Sequence, residues 1–146
     1  SQILFRVLDE RDKITRLTGM FQKEVARRIA ASPGNKDYGI LSVLTQLYYR
    51  AEYLFDVSPG CFKPPPKVMS GVIRLERLNT PLPCDEELLR TLVKAAFQQR
   101  RKTLRNSLRN WLAGGAPAQD PMLGLRPEQL SPQDFVQLTI LLAASR

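Results

Sequence analysis

Arg90, Lys94, Arg100, Arg101, Lys102, Arg105 and Arg109 follow one another between Glu87 and Asp120 with no acidic residue among them. Five of these cations fall within 100–109, inside the stretch AAFQQRRKTLRNSLRNWL (95–112), where apolar side chains are interleaved with basic ones. A guanidinium donates two parallel hydrogen bonds to a phosphate or a carboxylate, and no local carboxylate is present to accept them. The chemistry this implies is binding of a polyanion. If Thr103 caps a helix over 104–113, then Leu104, Leu108, Trp111 and Leu112 share one face, and Arg105, Asn106 and Arg109 lie on the adjoining one. The same pattern also describes a solvated helix face; the unbroken Arg100-Arg101-Lys102 run favours nucleic acid.

Other chemistries are poorly supplied. The chain has no histidine, which removes Ser-His triads and histidine metal sites. Cys61 and Cys84 stand far apart without a CxxC or a metal-ligand spacing, so two ordinary thiols are expected, with no disulfide and no metal. With 146 residues, 43% of them hydrophobic, the chain can bury one core and a small second unit. A net charge of +8 favours RNA, DNA or an acidic surface as partner. No apolar run approaches the ~20 residues that span a bilayer, and no secretory signal pattern opens the chain. A cytoplasmic protein with no membrane partner is the expectation.

The elements that must position these residues follow from periodicity. Ile3, Leu4, Val7 and Leu8 predict a helix over 1–8, residues 14–21 a strand, and Val25, Ala26 and Ile29 a helix over 22–31. After the loop Ser32-Pro33-Gly34-Asn35, Asp37 is expected to cap a helix over 38–49 with Ile40, Val43, Leu44 and Leu47 inward. Strands are predicted over 53–57 and 69–75, the second with Met69, Gly71, Ile73 and Leu75 on one face. Between them Pro64-Pro65-Pro66 stiffens a loop and holds Phe62 in place. Pro81-Leu82-Pro83 marks a boundary between an α/β part and a helical part. Asp85-Glu86-Glu87 opens a helix with the stripe Leu88, Leu89, Leu92, Val93, Ala96 and Phe97. Residues 114–121 read as a linker, and Ser131-Pro132-Gln133-Asp134 as a capping box for a last helix with Phe135, Leu138, Leu141 and Leu142 inward.

Several blocks together resemble one family. Phe21-Gln22-Lys23-Glu24-Val25-Ala26 with Arg28, then Phe62-Lys63-Pro64-Pro65-Pro66-Lys67-Val68 with Ser70, and above all 96–108 (AFQQRRKTLRNSL) are similar to the small-subunit ribosomal RNA adenine N6-dimethyltransferases of the KsgA/RsmA type. Arg126-Pro127-Glu128-Gln129-Leu130-Ser131 resembles the family's penultimate segment, and the likeness runs to about Leu142. Met69 and Gly71 depart from it, standing where the family usually carries aspartate and alanine.

The resemblance implies that the glycine-rich S-adenosylmethionine loop, the ribose-holding acid and the catalytic Asn-Leu-Pro-Tyr lie in an N-terminal half, and that this chain corresponds to the C-terminal portion beyond them. The expected fold is α+β: the C-terminal remnant of a Rossmann-like methyltransferase sheet, about three strands with helices, over 1–80, then a small all-helical rRNA-binding domain over 84–146. Strand 14–21 would be an orphaned edge that invites pairing, a dimer included. S-adenosylmethionine would serve the parent enzyme with none bound to this chain, and small-subunit ribosomal RNA in the pre-30S particle would be the partner. Because an adenine amine is a weak nucleophile, the target base must leave its stack and be held in place. The resemblance puts Phe62 against that base; read without it, Phe62 is equally a core anchor. Lys63, Lys67, Lys94, Arg100, Arg101, Lys102, Arg105 and Arg109 are the expected RNA contacts, and no catalytic, cofactor or metal residue is assigned. The rivals are an Erm-type large-subunit methyltransferase, which shares the block around Phe62, and a nonenzymatic RNA-binding or assembly module.

Overall fold

The structure is a computed structural model that describes residues 2–61, 63–64, 67–112 and 119–144. Three strands form its sheet: β1 (Arg16–Gln22), β2 (Tyr49–Val57) and β3 (Ser70–Arg77), in the order β1-β3-β2. Both neighbours run antiparallel to β3. One face is apolar because the alternation matches across the register: Leu17 and Ala51 flank Leu75, and Gly19 and Tyr53 flank Ile73. Expectation and structure agree on Gly71, Ile73 and Leu75; Met69 lies before the strand and is 38% exposed.

A register shift between Tyr53 and Phe55 changes what β2 presents. In a regular strand residues three apart point to opposite faces, and the extra residue of a bulge cancels that inversion. Tyr53 therefore pairs with Ile73 and Asp56 with Gly71, both on the core side, and the Tyr53 hydroxyl donates to Asp56. Gly71 makes this fit. A Cβ there would meet Cζ and Cε2 of Tyr53 at 2.7 and 2.8 Å, so the departure from alanine leaves the room the phenol fills.

The helices are α1 (Gln2–Asp9), α2 (Lys23–Ala30), α3 (Ile40–Gln46), α4 (Glu86–Gln98), α5 (Leu104–Ser107) and α6 (Pro132–Ala144). α2 packs on the sheet, α3 on α2, and α4 on α3 and α6. One apolar cluster runs through them all, from Leu4 on α1 through Ile29, Leu44, Leu75, Leu92 and Leu104 to Leu142. Asp85 caps α4 by accepting from the backbone amides of Glu87 and Leu88 at 3.0 and 3.2 Å. The capping box of α6 is reciprocal: Asp134 N–H donates to Ser131 Oγ and Ser131 N–H to Asp134, each at 3.0 Å.

The helix predicted over 38–49 changes at both ends. Asp37 does not cap α3; its own amide donates to Asn35 Oδ1 at 2.8 Å, and the helix begins after Gly39, whose amide donates to Ser42 Oγ at 3.1 Å. The helix expected to reach residue 49 stops at Gln46, and after a turn at 47–48 Tyr49 opens β2 in a position that suits an aromatic side chain. Tyr49 is fully buried there and its hydroxyl donates to the Ile14 carbonyl at 2.6 Å. Part of the linker expected over 114–121 lies outside the described residues; its last residue, Pro121, opens a single 3-10 turn (Pro121–Gly124) capped by Asp120.

Where α1, the sheet and α4 meet, Tyr48 donates to Glu86 at 2.6 Å, and Arg11 lies 4.2 Å over the Tyr48 ring while pairing with Glu86 at 3.3 Å. Burial, then the bond to Glu86, pushes the Tyr48 phenol up from 10.0 to about 12. A phenol whose pKa is raised in the fold stabilises fully below its unfolded value and loses that contribution as pH rises through the folded one. Stability is therefore expected to fall from pH 10 towards about pH 12. Tyr48→Phe should make that alkaline branch of a urea-denaturation series shallower, while costing about 1 kcal/mol at neutral pH for the lost hydrogen bond.

Candidate nucleic-acid interface

The basic stretch does not form one helix. After α4 ends, residues 99–103 turn, α5 makes a single turn, Leu108 leaves helical geometry (φ −106°, ψ 20°), and Arg109–Trp111 forms a 3-10 turn. Asn106, Ser107 and Asn110 are weak helix formers that compete with the helix for backbone hydrogen bonds. Leu104 and Leu108 are fully buried, and the Leu104 amide donates to the Leu125 carbonyl at 2.9 Å. The segment is thus pinned by two leucines rather than stiffened by helix length.

This arrangement divides the cations. Arg100 turns inward: its guanidinium donates to the carbonyls of Tyr38 (2.6 Å), Lys36 (3.1 Å) and Asn35 (3.3 Å) and pairs with Glu128 (3.3 Å). It also sits 5.8 Å from the centre of the Phe97 ring, which in turn contacts Tyr38 and Phe135. Arg100 thereby holds the 35–38 loop to the turn around Glu128, where Gly34, at φ 88°, donates its amide to the Glu128 carbonyl at 2.7 Å. Arg101, Lys102, Arg105 and Arg109 are exposed, as are Arg90 and Lys94 on α4. Lys102 and Arg109 border a shallow depression with Gln99, Asn106, Ser107 and Asn110.

The proline loop is the second region. Phe62, Pro65 and Pro66 lie outside the described residues, so the reading of Phe62 falls there too; Lys63 and Lys67 are exposed, and the Lys63–Pro64 bond is cis. The stems of the loop are tied by one residue. Lys23, the first of α2, donates its amide to the Met69 carbonyl at 2.9 Å, and its ammonium pairs with Asp56 at 3.0 Å and meets the Met69 sulfur at 3.6 Å. The Tyr53 hydroxyl and then Lys23 hold the Asp56 carboxyl below the usual carboxylate range, while burial and Asp56 push the Tyr53 phenol to about 12. Sequence reasoning missed Lys23, Tyr53 and Asp56. The position of Lys23 at a strand-to-helix junction was a usable signal, but the bulge that joins the other two leaves no mark in the hydrophobic pattern. Cys61 and Cys84 are free thiols, and no group of metal-ligating side chains occurs among the described residues.

An antiparallel three-stranded sheet under a helical layer, with a cationic turn beyond it, is a fold this chain shares with part of two solved methyltransferases. A dimethyladenosine transferase from Plasmodium falciparum superposes with a TM-score of 0.82 at 23% identity, covering 99% of this chain and 63% of that one. The 23S rRNA methyltransferase ErmE superposes at 0.65 with 24% identity, covering 97% and 59%. The chain belongs to the ribosomal RNA adenine dimethylase family, whose model matches residues 1–130. A Porphyromonas gingivalis protein named ribosomal RNA small subunit methyltransferase A is 60% identical over 144 residues, which are 97% of this chain and 56% of the relative. A Bacteroides fragilis protein of the same name is 56% identical over 141 residues, 95% and 52%. The chain spans about half the length of these relatives.

Proposed function

We propose that this chain is the RNA-gripping portion of a cytoplasmic, S-adenosylmethionine-dependent ribosomal RNA adenine N6-dimethyltransferase that acts on the small subunit during its assembly. The observation that carries the reading is the division of the cationic stretch: Arg100 is tied to backbone carbonyls and Glu128, and Arg101, Lys102, Arg105 and Arg109 stand exposed on a turn fixed by Leu104 and Leu108. Such a turn suits the phosphates of folded RNA, which proteins recognise largely by shape and backbone contacts. Residues 84–146 form the RNA-binding unit and 1–80 the sheet unit, sharing one core. Lys94 extends the cationic surface along α4, Lys63 and Lys67 flank the target nucleotide, and Phe62 lies against its base, on a loop whose stems Lys23 holds together. Arg100 acts by positioning. The outer edge of β1 pairs with a further strand, supplied by another part of the parent enzyme or by a second copy.

S-adenosylmethionine needs a glycine-rich turn and an acid for its ribose, and the sequence has no GxGxG. The residues present do not fit the cofactor, so no step is assigned to it. The small-subunit reading is favoured over the Erm-type one by relatives at 60% and 56% identity named for the small subunit. The chain is expected to bind small-subunit ribosomal RNA in filter binding with salt-sensitive affinity, and to transfer no methyl groups from S-adenosylmethionine to small subunits. Turnover above background would overturn the placement of the cofactor site; salt-insensitive binding would overturn the RNA-gripping role.

A further inference from the structure

The depression between the end of α4 and the 3-10 turn is lined by Gln99, Lys102, Asn106, Ser107, Arg109 and Asn110: two cations, three carboxamides and a hydroxyl, with no carboxylate. Its volume of about 480 Å³ falls in the ~300–1,000 Å³ range of sites that hold small organic groups. A surface that merely neutralises phosphate needs cations alone. Carboxamides add something different, since each offers both a donor pair and an acceptor, the complement of a nucleobase edge rather than of an acceptor-only phosphate.

Two details favour a built site over a chance grouping. Arg109 Nη2 reaches Asn106 Oδ1 at 3.4 Å, a long hydrogen bond that orients the carboxamide and leaves its NH2 as the group on offer. Ser107 Oγ is buried beside it with no hydrogen-bond partner among the described residues. The turn that carries these residues is anchored by Leu104 and Leu108, both fully buried. Asn106 and Asn110, on either side of the helix break at Leu108, line the same hollow as Gln99 from the end of α4.

We propose that this hollow receives one unpaired nucleotide of the bound RNA, with its phosphate on Lys102 and Arg109 and its base edge on the carboxamides of Gln99, Asn106 and Asn110. The inference rests on the RNA-gripping role and deepens it: the turn selects single-stranded positions instead of only attracting charge. Unstacked bases are the usual targets of hydrogen-bonded recognition in RNA, whereas the deep groove of a duplex hides them.

The experiment titrates the full chain with a fluorescent single-stranded RNA oligonucleotide and with the same strand fully paired, over a salt series. Asn106→Ala combined with Asn110→Ala is expected to weaken single-strand binding about tenfold, with the salt slope and duplex binding unchanged. Lys102→Ala with Arg109→Ala should weaken both probes and flatten the slope by roughly 0.7 per lost phosphate contact on the single strand. Wild-type affinity in the carboxamide variant, or an equal loss on both probes, would overturn the nucleotide site while leaving the RNA-gripping role intact. Failure of the unaltered chain to bind either probe would remove that role and this site together. Asn106 and Asn110 are exposed; should the pair lower the melting temperature, Asn110→Ala alone carries the same comparison.

Discussion

Arg100→Ala is expected to remove about 3 kcal/mol of stability, and Arg101→Ala, one residue further on, almost none. The two side chains are chemically identical and sit in a run that looks uniform. Yet Arg100 reaches three backbone carbonyls and Glu128, and its loss would strand the Tyr38 carbonyl, held at 2.6 Å, beside a ring cluster that admits little water. Charge-assisted hydrogen bonds of this kind contribute ~1.5–3 kcal/mol each when well formed. The total stays below their sum because the side chain is 33% exposed and two of its contacts are long, at 3.3 Å. In a thermal melt the loss should appear as a fall of roughly 10 °C. Arg100→Lys should recover little, since an ammonium cannot satisfy several carbonyls lying in the plane of a guanidinium. An Arg100→Ala protein that melts like the wild type would show that the loop is held by something else.

Replacing Arg101, Lys102 and Arg105 together with alanine should lower the melt by far less than Arg100→Ala does and weaken binding to small-subunit ribosomal RNA about a hundredfold at moderate salt. All three are exposed, and none contributes to the core. The sharper readout is the salt dependence. Each phosphate contact adds ~0.7–0.9 to the slope of log affinity against log salt, so the triple variant should be shallower by roughly 2 to 3. A slope equal to that of the wild type would mean that this face is solvated surface and no more. Arg100→Ala and the triple variant thus test opposite properties of neighbouring residues, one by heat and the other by salt.

How far these assignments could be read from residues alone depended on what each signal measures. Helical periodicity and capping chemistry are local, so α4 with its acidic start and α6 with its Ser131–Asp134 box were legible, as was the alternation of Gly71, Ile73 and Leu75. The segment after Thr103 misled because its leucines have helical spacing; Leu104 and Leu108 are indeed buried, but the asparagines between and after them end the helix at Ser107. Nothing local separates Arg100 from Arg101. The difference is set by carbonyls some 60 positions away in the chain, at Tyr38 and Lys36. The bulge that brings Tyr53 to Asp56 was equally hidden, since it depends on pairing with β3.

The strand order has a consequence for how the protein comes into being. β3 lies in the middle of the sheet, yet it is the last of the three strands in the chain, so β1 and β2 share no hydrogen bonds of their own. On a ribosome, β1 emerges some 50 residues before β3, its only sheet neighbour among the described residues, and through that interval the β3-facing edges of two sticky ribbons, including Met20 and Phe55 at 49% and 57% exposure even when folded, wait unpaired. Long-range pairing of this kind is slow and vulnerable to capture by other chains. Substitutions in β3 should therefore show themselves first as lost yield of soluble product during synthesis, before any effect on what the finished molecule binds.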